Sequence, residues 1–414
     1  MRRNLYTGAA LLSVAVLAVA TFRLTRNTVH AATVMAPRFE VDPFWPKPLP
    51  NHWILGQTIG VSADAQDNVW IIHRPGSLEA GEQHATTNPP IASCCAAAPP
   101  VLEFDSSGNL IRHWGGSGEG FDWPISNHGI TADNKGNVWI GSNGRGPQSA
   151  RGAVNGQDEE GGGVDSFHDN MVLKFTVDGK FLLQIGKPSQ SKGSNDTENL
   201  RLPAKIFVDS KRNEIYVADG YGNHRVIVFD SETGKYKRHF GAYGHKPSDA
   251  DLGPYNPDAP PAQQFRNPVH CAMLAHDDLL YVCDRANDRI QVFKPDGTFV
   301  KEHFYEKQTR GSGSVWDLAF SADPQQRYLY MADGENGKVR ILDRNSLEVL
   351  TSFGDGGRQP GEFYGVHSIA TDSKGNIYTT ETYHGQRVQK FVYKGMAPVT
   401  KTDQGVIWPA AASK

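Results

Sequence analysis

Cysteine is scarce in this chain. Only four cysteines occur among 414 residues, so the fold is not a disulfide scaffold. Cys271 and Cys283 lie on neighbouring predicted strands and could pair, whereas Cys94 and Cys95 are adjacent and their state stays open. The chain also lacks a basic stretch, and a formal net charge of -3 gives no electrostatic basis for nucleic-acid binding. Its 43 glycines and 25 prolines indicate a turn-rich, β-dominated protein.

Residues 1–32 have the features of a targeting segment. Arginines precede an apolar run over residues 8–22, and small residues near 29–31 offer a cleavage site. Arg23 and Arg26 lie between the run and that site, so a membrane anchor is the alternative to a cleaved signal peptide. In either case we expect export, with a periplasmic or secreted location, where disulfides are permitted.

Six copies of one unit follow the targeting segment. In each copy a polar turn leads into an alternating apolar run that opens on an aromatic residue, which is typical of the second strand of a hairpin. These aromatic residues are Trp70, Trp139, Tyr216, Tyr281, Tyr330 and Tyr378. A third strand follows in every copy, and a fourth in five of them. Four short antiparallel strands in six repeats predict an all-β fold, a six-bladed β-propeller.

The sixth copy ends without a fourth strand. Residues 37–42 (PRFEVD) are predicted to supply it and to close the ring, which would remove the exposed edges of the first and last blades. We therefore expect a propeller over residues 37–396, followed by a C-terminal tail over residues 397–414.

Three histidines occupy one position of the repeat, in copies two, four and six. They are His128, His270 and His367, and the other copies carry Ile59, Ala204 and Trp316 there. In a ring of six, alternate copies place the three imidazoles a third of a turn apart, converging on the central axis at one depth. Neutral imidazoles suit zinc, and three protein ligands leave one position open for substrate. The alternative is a set of channel histidines that are hydrogen-bonded without a metal.

Three further polar residues are predicted on the same face, because they follow second strands. Arg74 and Arg285 could each bind a carboxylate; the alternative is a structural salt bridge with Asp219 or Asp284. The phenol of Tyr221, made more acidic by a metal and two cations, suits proton transfer. Its alternative is an aromatic side chain that packs under a loop.

At these residues the chain resembles the NHL-repeat propellers, and specifically the lyase domain of peptidylglycine α-amidating enzymes. The resemblance covers all six repeats and is strongest in DGYGNHRV (219–226) and DRANDRIQVF (284–293). It implies a role for each residue of the predicted site. The zinc ligands would be His128, His270 and His367, the base would be Tyr221, and the substrate carboxylate would be held by Arg74 and Arg285.

The resemblance implies a carbon–nitrogen lyase that cleaves a peptidyl-α-hydroxyglycine, or a related N-acyl compound, to an amide and glyoxylate. We expect a small-molecule or peptide substrate with a carboxylate, and a monomeric protein. The family has an aspartate ligand for a structural calcium ion after the last histidine, whereas this chain has Ser368, so calcium is not expected. Insertions 76–100 and 142–169 could reshape the pocket. The alternatives are a non-catalytic propeller that binds a partner or ligand on its rim, and a hydrolase, which would call for carboxylate ligands on calcium.

Overall fold

A computed structural model describes residues 33–146 and 167–409. Within these ranges the chain forms six four-stranded antiparallel sheets. The first strand of each sheet contacts the first strands of both neighbouring sheets, so the six sheets surround a common axis. The predicted all-β, six-bladed propeller is confirmed. Two-stranded pairs occur within the insertions, and the helices of the described residues are short 3-10 turns.

The strands of blades 1 to 5 run outward from the axis in chain order, whereas the outermost strand of blade 6 comes from the start of the described chain. Blade 1 contains Gln57–Ala63, Val69–Arg74, Val101–Phe104 and Leu110–Trp114. Blade 2 contains Asn127–Ala132, Asn137–Ser142, Val172–Thr176 and Phe181–Ile185. Blade 3 contains Ile206–Asp209, Glu214–Asp219, Arg225–Asp230 and Tyr236–Phe240. Blade 4 contains Val269–Leu274, Leu280–Asp284, Arg289–Phe293 and Phe299–Phe304. Blade 5 contains Asp317–Phe320, Tyr328–Asp333, Lys338–Asp343 and Val349–Phe353. Blade 6 contains Val366–Thr371, Ile377–Glu381, Arg387–Pro398 and, outermost, Met35–Asp42.

The short elements lie between these strands. Trp53–Ile54 pairs in parallel with Ala96–Ala97, and Arg145–Gly146 pairs with Phe167–His168. The 3-10 turns are Pro75–Ser77, Ala80–Glu82, His84–Thr86, Ala242–Gly244 and Arg285–Asn287.

The aromatic residue of each second strand is buried between blades. All six are at most 2% exposed. In blades 1 and 2 an aspartate of the preceding turn binds the indole, with Trp70 Nε1 donating to Asp64 and Trp139 Nε1 donating to Asp133 at 3.0 and 3.1 Å. The other oxygen of Asp64 accepts from the backbone of Asn68 at 2.9 Å. The repeated turn aspartate therefore shapes the hairpin and satisfies a buried donor.

Blades 3 to 6 each bury an ion pair beyond the second strand. An acid that ends the strand meets an arginine at or near the start of the third strand. The pairs are Asp219–Arg225, Asp284–Arg289, Asp333–Arg340 and Glu381–Arg387. Blades 1 and 2 carry the long insertions at this place instead. In blades 3 to 6 the ion pairs join the end of the second strand to the start of the third. In blades 1 and 2 a long insertion takes the place of this connection.

Both ends of the described chain lie at blades 5 and 6. Met35–Asp42 pairs antiparallel with Arg387–Pro398. The tail lies beside the fourth strand of blade 5, where Ser352 N donates to Thr402 O at 2.9 Å. The targeting segment predicted for residues 1–32 lies outside the described residues. Among the helices that are described, none has the length and apolar character needed to cross a membrane.

The four cysteines form two disulfides. Cys271 and Cys283 face each other on the first two strands of blade 4 and are joined. Cys94 is joined to its neighbour Cys95 in the first insertion, directly before the short strand Ala96–Ala97. The first of these bonds links two strands inside a blade.

Asp288 should make the stability of blade 4 depend on pH. It is fully buried, its carboxylate accepts from Ser314 N at 2.7 Å, and burial raises its pKa to about 6. The pKa of Asp288 is higher in the folded protein than in the unfolded chain, so the protonated carboxyl group favours the folded state. This contribution to the free energy of unfolding is complete below about pH 4 and is lost as the pH rises to about 6. In urea titrations, the free energy of unfolding of Asp288→Asn should therefore rise by about 2 kcal/mol relative to that of wild type when the pH is raised from 4 to 6.5. The exposed Asp251→Asn is the control, and a pH-independent difference for Asp288→Asn would contradict the prediction.

Candidate metal centre

The three histidines lie on the first strands of blades 2, 4 and 6, and each coincides with an irregularity in the strand register. The pairing shifts between His128 and Ile130, between Val269 and Cys271, and between Val366 and Ser368. A bulge redirects the side chain at its position. The imidazoles consequently point into the channel, where one ring nitrogen of each lies within 4.8 Å of the other two. The predicted convergence of His128, His270 and His367 is present in the structure.

Each imidazole is oriented by the neighbouring blade. The Nδ1–H groups of His128 and His367 donate to the carbonyls of Ala204 and Ile59 at 3.1 and 2.8 Å, and that of His270 donates to the carbonyl of Trp316. The acceptors are the residues that occupy the histidine position in blades 1, 3 and 5. A carbonyl only accepts, so Nδ1 carries the proton and Nε2 keeps its lone pair. This is the outer-shell arrangement found around metal-binding histidines.

Tyr221 lies among these nitrogens. Its Oη is 3.0 Å from the Nε2 atoms of both His128 and His270, and Arg285 Nη1 donates to it at 3.0 Å. The phenol has one proton, whereas two of the lone pairs that it faces belong to imidazoles. A cation bound by the three Nε2 atoms would satisfy these lone pairs, so the donor set fits a metal such as zinc.

The electrostatic environment keeps the imidazoles neutral. The three histidines are at most 4% exposed. Burial, the largest cause, lowers the pKa of each well below 6.5, and nearby positive charges add to the effect. For His128 these charges include Arg74, and for His270 they include Arg285. Neutral imidazole is the form that binds a metal.

Arg74 ends the second strand of blade 1 and is 5% exposed. Its guanidinium donates to Gln57 Oε1, Asn143 Oδ1 and Asn127 O at 2.8 to 3.1 Å. All three partners are neutral, and within residues 33–146 and 167–409 no carboxylate pairs with this side chain. Each terminal nitrogen keeps a second N–H, so the charge is oriented and available to an anion.

Arg285 begins the 3-10 turn after the second strand of blade 4. Besides Tyr221 it donates to Ser312 O at 2.9 Å, and it stacks on the ring of Trp316 at 4.5 Å. The salt bridges considered for the two arginines are wrong, because Asp219 and Asp284 pair with Arg225 and Arg289. The charges of these two acids are therefore already neutralised within their own blades.

The backbone of Tyr221 is held by residues that the sequence did not single out. Its carbonyl accepts from Arg145 Nη2 and from Asn267 Nδ2, both at 3.0 Å. The next residue is Gly222, where an added Cβ would lie 2.3 Å from the side chain of Arg201. The tight approach leaves no room for a side chain at position 222. Arg145 and Asn267 come from blades 2 and 4, and no repeat position marks them.

Ser368, next to His367, belongs to a buried polar network in the channel. Asp317 accepts from Ser368 Oγ at 2.6 Å and from Lys205 Nζ at 2.6 and 2.8 Å. Lys205, Asp317 and Ser368 are all less than 8% exposed. The cation that neutralises the carboxylate is therefore the ammonium group of Lys205.

Comparison with known proteins finds one NHL repeat and several distant relatives. The NHL repeat family matches residues 200–229, in blade 3. The chain is 24% identical over 343 residues to a peptidylglycine alpha-amidating monooxygenase of Rattus norvegicus, covering 81% of this chain and 30% of that protein. It is 24% identical over 356 residues to peptidyl-alpha-hydroxyglycine alpha-amidating lyase 2 of Drosophila melanogaster, covering 81% and 72%.

A solved structure also aligns with the chain. It is a streptogramin B lyase, with a TM-score of 0.48, 10% identity and coverage of 87% of this chain and 98% of that one. The monooxygenase relative is a longer protein, of which this chain spans less than one third. The chain is a six-bladed β-propeller with an NHL repeat and is distantly similar to the peptidylglycine α-amidating enzymes.

Proposed function

We propose that the protein is an exported, zinc-dependent carbon–nitrogen lyase that cleaves an N-acyl α-hydroxyglycine to an amide and glyoxylate. The observation that carries this proposal is the meeting of Tyr221 Oη with two histidines of the cluster and with Arg285, each at 3.0 Å. The histidine cluster, a group that could accept a proton and a cationic side chain thus lie within hydrogen-bonding distance of one another. The similarity to a lyase that is named for α-hydroxyglycine supports the same reaction class.

His128, His270 and His367 would hold the zinc ion, which would supply Lewis-acid polarisation of the substrate hydroxyl. Arg285 donates to the phenol oxygen of Tyr221 and would stabilise negative charge on it during the proton transfer. Tyr221 would accept the hydroxyl proton. The hydroxyl oxygen would then form the carbonyl of glyoxylate, the carbon–nitrogen bond would break, and its electron pair would stay on the amide nitrogen, which would take up the proton that Tyr221 had accepted.

The two arginines would hold the carboxylate of the substrate. Neither is paired with an acid in the described residues, and Arg74 is fixed by three neutral acceptors. A fixed cation orients a carboxylate with little loss of side-chain entropy on binding. A carboxylate held in this way would place the α-hydroxyl group next to Tyr221. Holding two reacting groups together accelerates the reaction between them.

Replacing Tyr221 by phenylalanine tests the proton transfer. Tyr221→Phe should lower kcat for α-hydroxyhippurate by about 100-fold or more, since general acid–base groups contribute roughly 10²–10⁴-fold. Metal content should not change, because the three imidazoles remain. Glyoxylate release is the measurement, and Tyr383→Phe, a tyrosine that follows the second strand of blade 6, is the matched control. An equal loss in both variants, or no loss in Tyr221→Phe, contradicts the role.

A further inference from the structure

A cavity of about 410 Å³ lies beside Arg74, between blades 1 and 2. Its walls include Trp53, Ala97 and Pro99 on one side, and Trp123 and Ile125 on the other. Sites for small molecules usually enclose about 300–1,000 Å³ and are mostly apolar. The cavity is therefore large enough for one aromatic ring or a short alkyl chain with its linking atoms.

This cavity shares one residue, Arg74, with the candidate metal centre. Arg74 and Asn127 are among its lining residues, and Asn127 directly precedes His128. Among the described lining residues Arg74 is the single charged side chain. An apolar chamber whose one cation, Arg74, also belongs to the candidate metal centre matches a molecule with an apolar body and an anionic end.

The first insertion builds the outer wall and is held in place by backbone bonds. Ala96 N donates to His52 O at 3.1 Å and Ala98 N to Ile54 O at 3.0 Å. The carbonyl of Pro99 meets His73 Nε2 at 3.0 Å. Because the wall is anchored before any ligand arrives, binding would cost little ordering entropy.

We propose that this cavity binds the acyl group of the substrate and selects aromatic or alkyl acyl groups over acetyl and charged ones. The assignment of the occupant as an acyl group rests on the proposed lyase function. The prediction that the cavity prefers a ligand with an apolar group beside an anionic one rests only on its apolar lining and on Arg74. A larger cavity, of about 850 Å³, opens elsewhere in the propeller, and its lining contains neither arginine of the metal centre nor Tyr221.

Binding of substrate analogues that lack the α-hydroxyl group tests the cavity without turnover. N-benzoylglycine should bind wild type at least about tenfold more tightly than N-acetylglycine, since a buried apolar group discriminates by roughly 10–200-fold. Trp53→Ala should reduce this ratio to about threefold or less, and Trp53→Phe should restore most of it. Trp408→Ala is the control, because Trp408 is 49% exposed and lies outside the lining. Titration calorimetry measures all four proteins.

The reactive pair separates this proposal from the lyase proposal. N-benzoyl and N-acetyl α-hydroxyglycine are compared by kcat/KM, and the benzoyl preference should fall in Trp53→Ala by the same factor as in binding. If the benzoyl preference in binding is present but neither compound is cleaved, the lyase function is overturned and the cavity assignment stands. If both compounds are cleaved but wild type binds the two acids equally, the cavity assignment is overturned.

Discussion

His367→Ala is expected to abolish stable metal binding and, with it, lyase activity. The variant leaves two of the three imidazoles of a buried cluster. Loss of an outer-shell partner alone weakens metal binding by about 10–100-fold, so loss of a ligand should exceed 100-fold. Lewis-acid stabilisation amounts to several kcal/mol, and kcat/KM should fall by about 1,000-fold or more. Elemental analysis after gel filtration and glyoxylate release measure the two effects.

His73→Ala is the matched control for this experiment. His73 is also fully buried, with Nδ1 accepting from Gly56 N at 3.1 Å and Nε2 meeting Pro99 O at 3.0 Å. It lies outside the cluster. Removing it should reduce stability and leave one metal ion per chain. Equal metal content in wild type, His73→Ala and His367→Ala would show that the cluster is not the metal site.

The repeat pattern was sufficient to predict the fold and the histidine cluster, for a geometrical reason. A position in the repeat corresponds to a fixed height and distance from the propeller axis, so equal positions in alternate copies must converge. The same rule predicts that residues after second strands lie on one face, and Arg285 and Tyr221 do meet there at 3.0 Å. Periodicity therefore carries three-dimensional information when the elements surround an axis.

Partners between unlike positions could not be predicted in this way. Lys205 and Asp317 come from blades 3 and 5, and they meet because the channel is narrow. A salt bridge from Asp219 to Arg74 or Arg285 was one alternative, but Asp219 pairs with Arg225, six residues later in the chain. Arg145 reaches Tyr221 O through the insertion of blade 2. Such contacts depend on the width of the channel and on loop paths, which a repeat pattern does not contain.

Lys205→Met is expected to destabilise the propeller by about 3–5 kcal/mol, the usual cost of leaving one member of a buried ion pair without its partner. Asp317 is 1% exposed, and Lys205 supplies the charge that neutralises it. The remaining donors, Ser368 Oγ and the backbone N–H groups of Leu318 and Ile369, are neutral. They orient the carboxylate but do not cancel its charge, so the variant buries an unpaired anion. Denaturant unfolding at neutral pH measures the loss.

The double variant and a second lysine decide whether charge is the cause. Lys205→Met with Asp317→Asn removes both charges, so it should be more stable than Lys205→Met alone, as is found when buried ion pairs are replaced together. Lys174→Met is the matched control. Lys174 is buried to a similar degree and donates to Ser231 O at 2.9 Å, but its acidic partner Glu232 is 3.6 Å away and half exposed. Loss of Lys174 therefore leaves no carboxylate buried without its cation and should cost less than loss of Lys205. If the double variant is less stable than Lys205→Met, packing of the lysine stem rather than neutralisation of Asp317 holds this part of the channel. Rescue by Asp317→Asn would instead show that Lys205 acts by neutralising Asp317, whose carboxylate also binds Ser368, the residue next to His367.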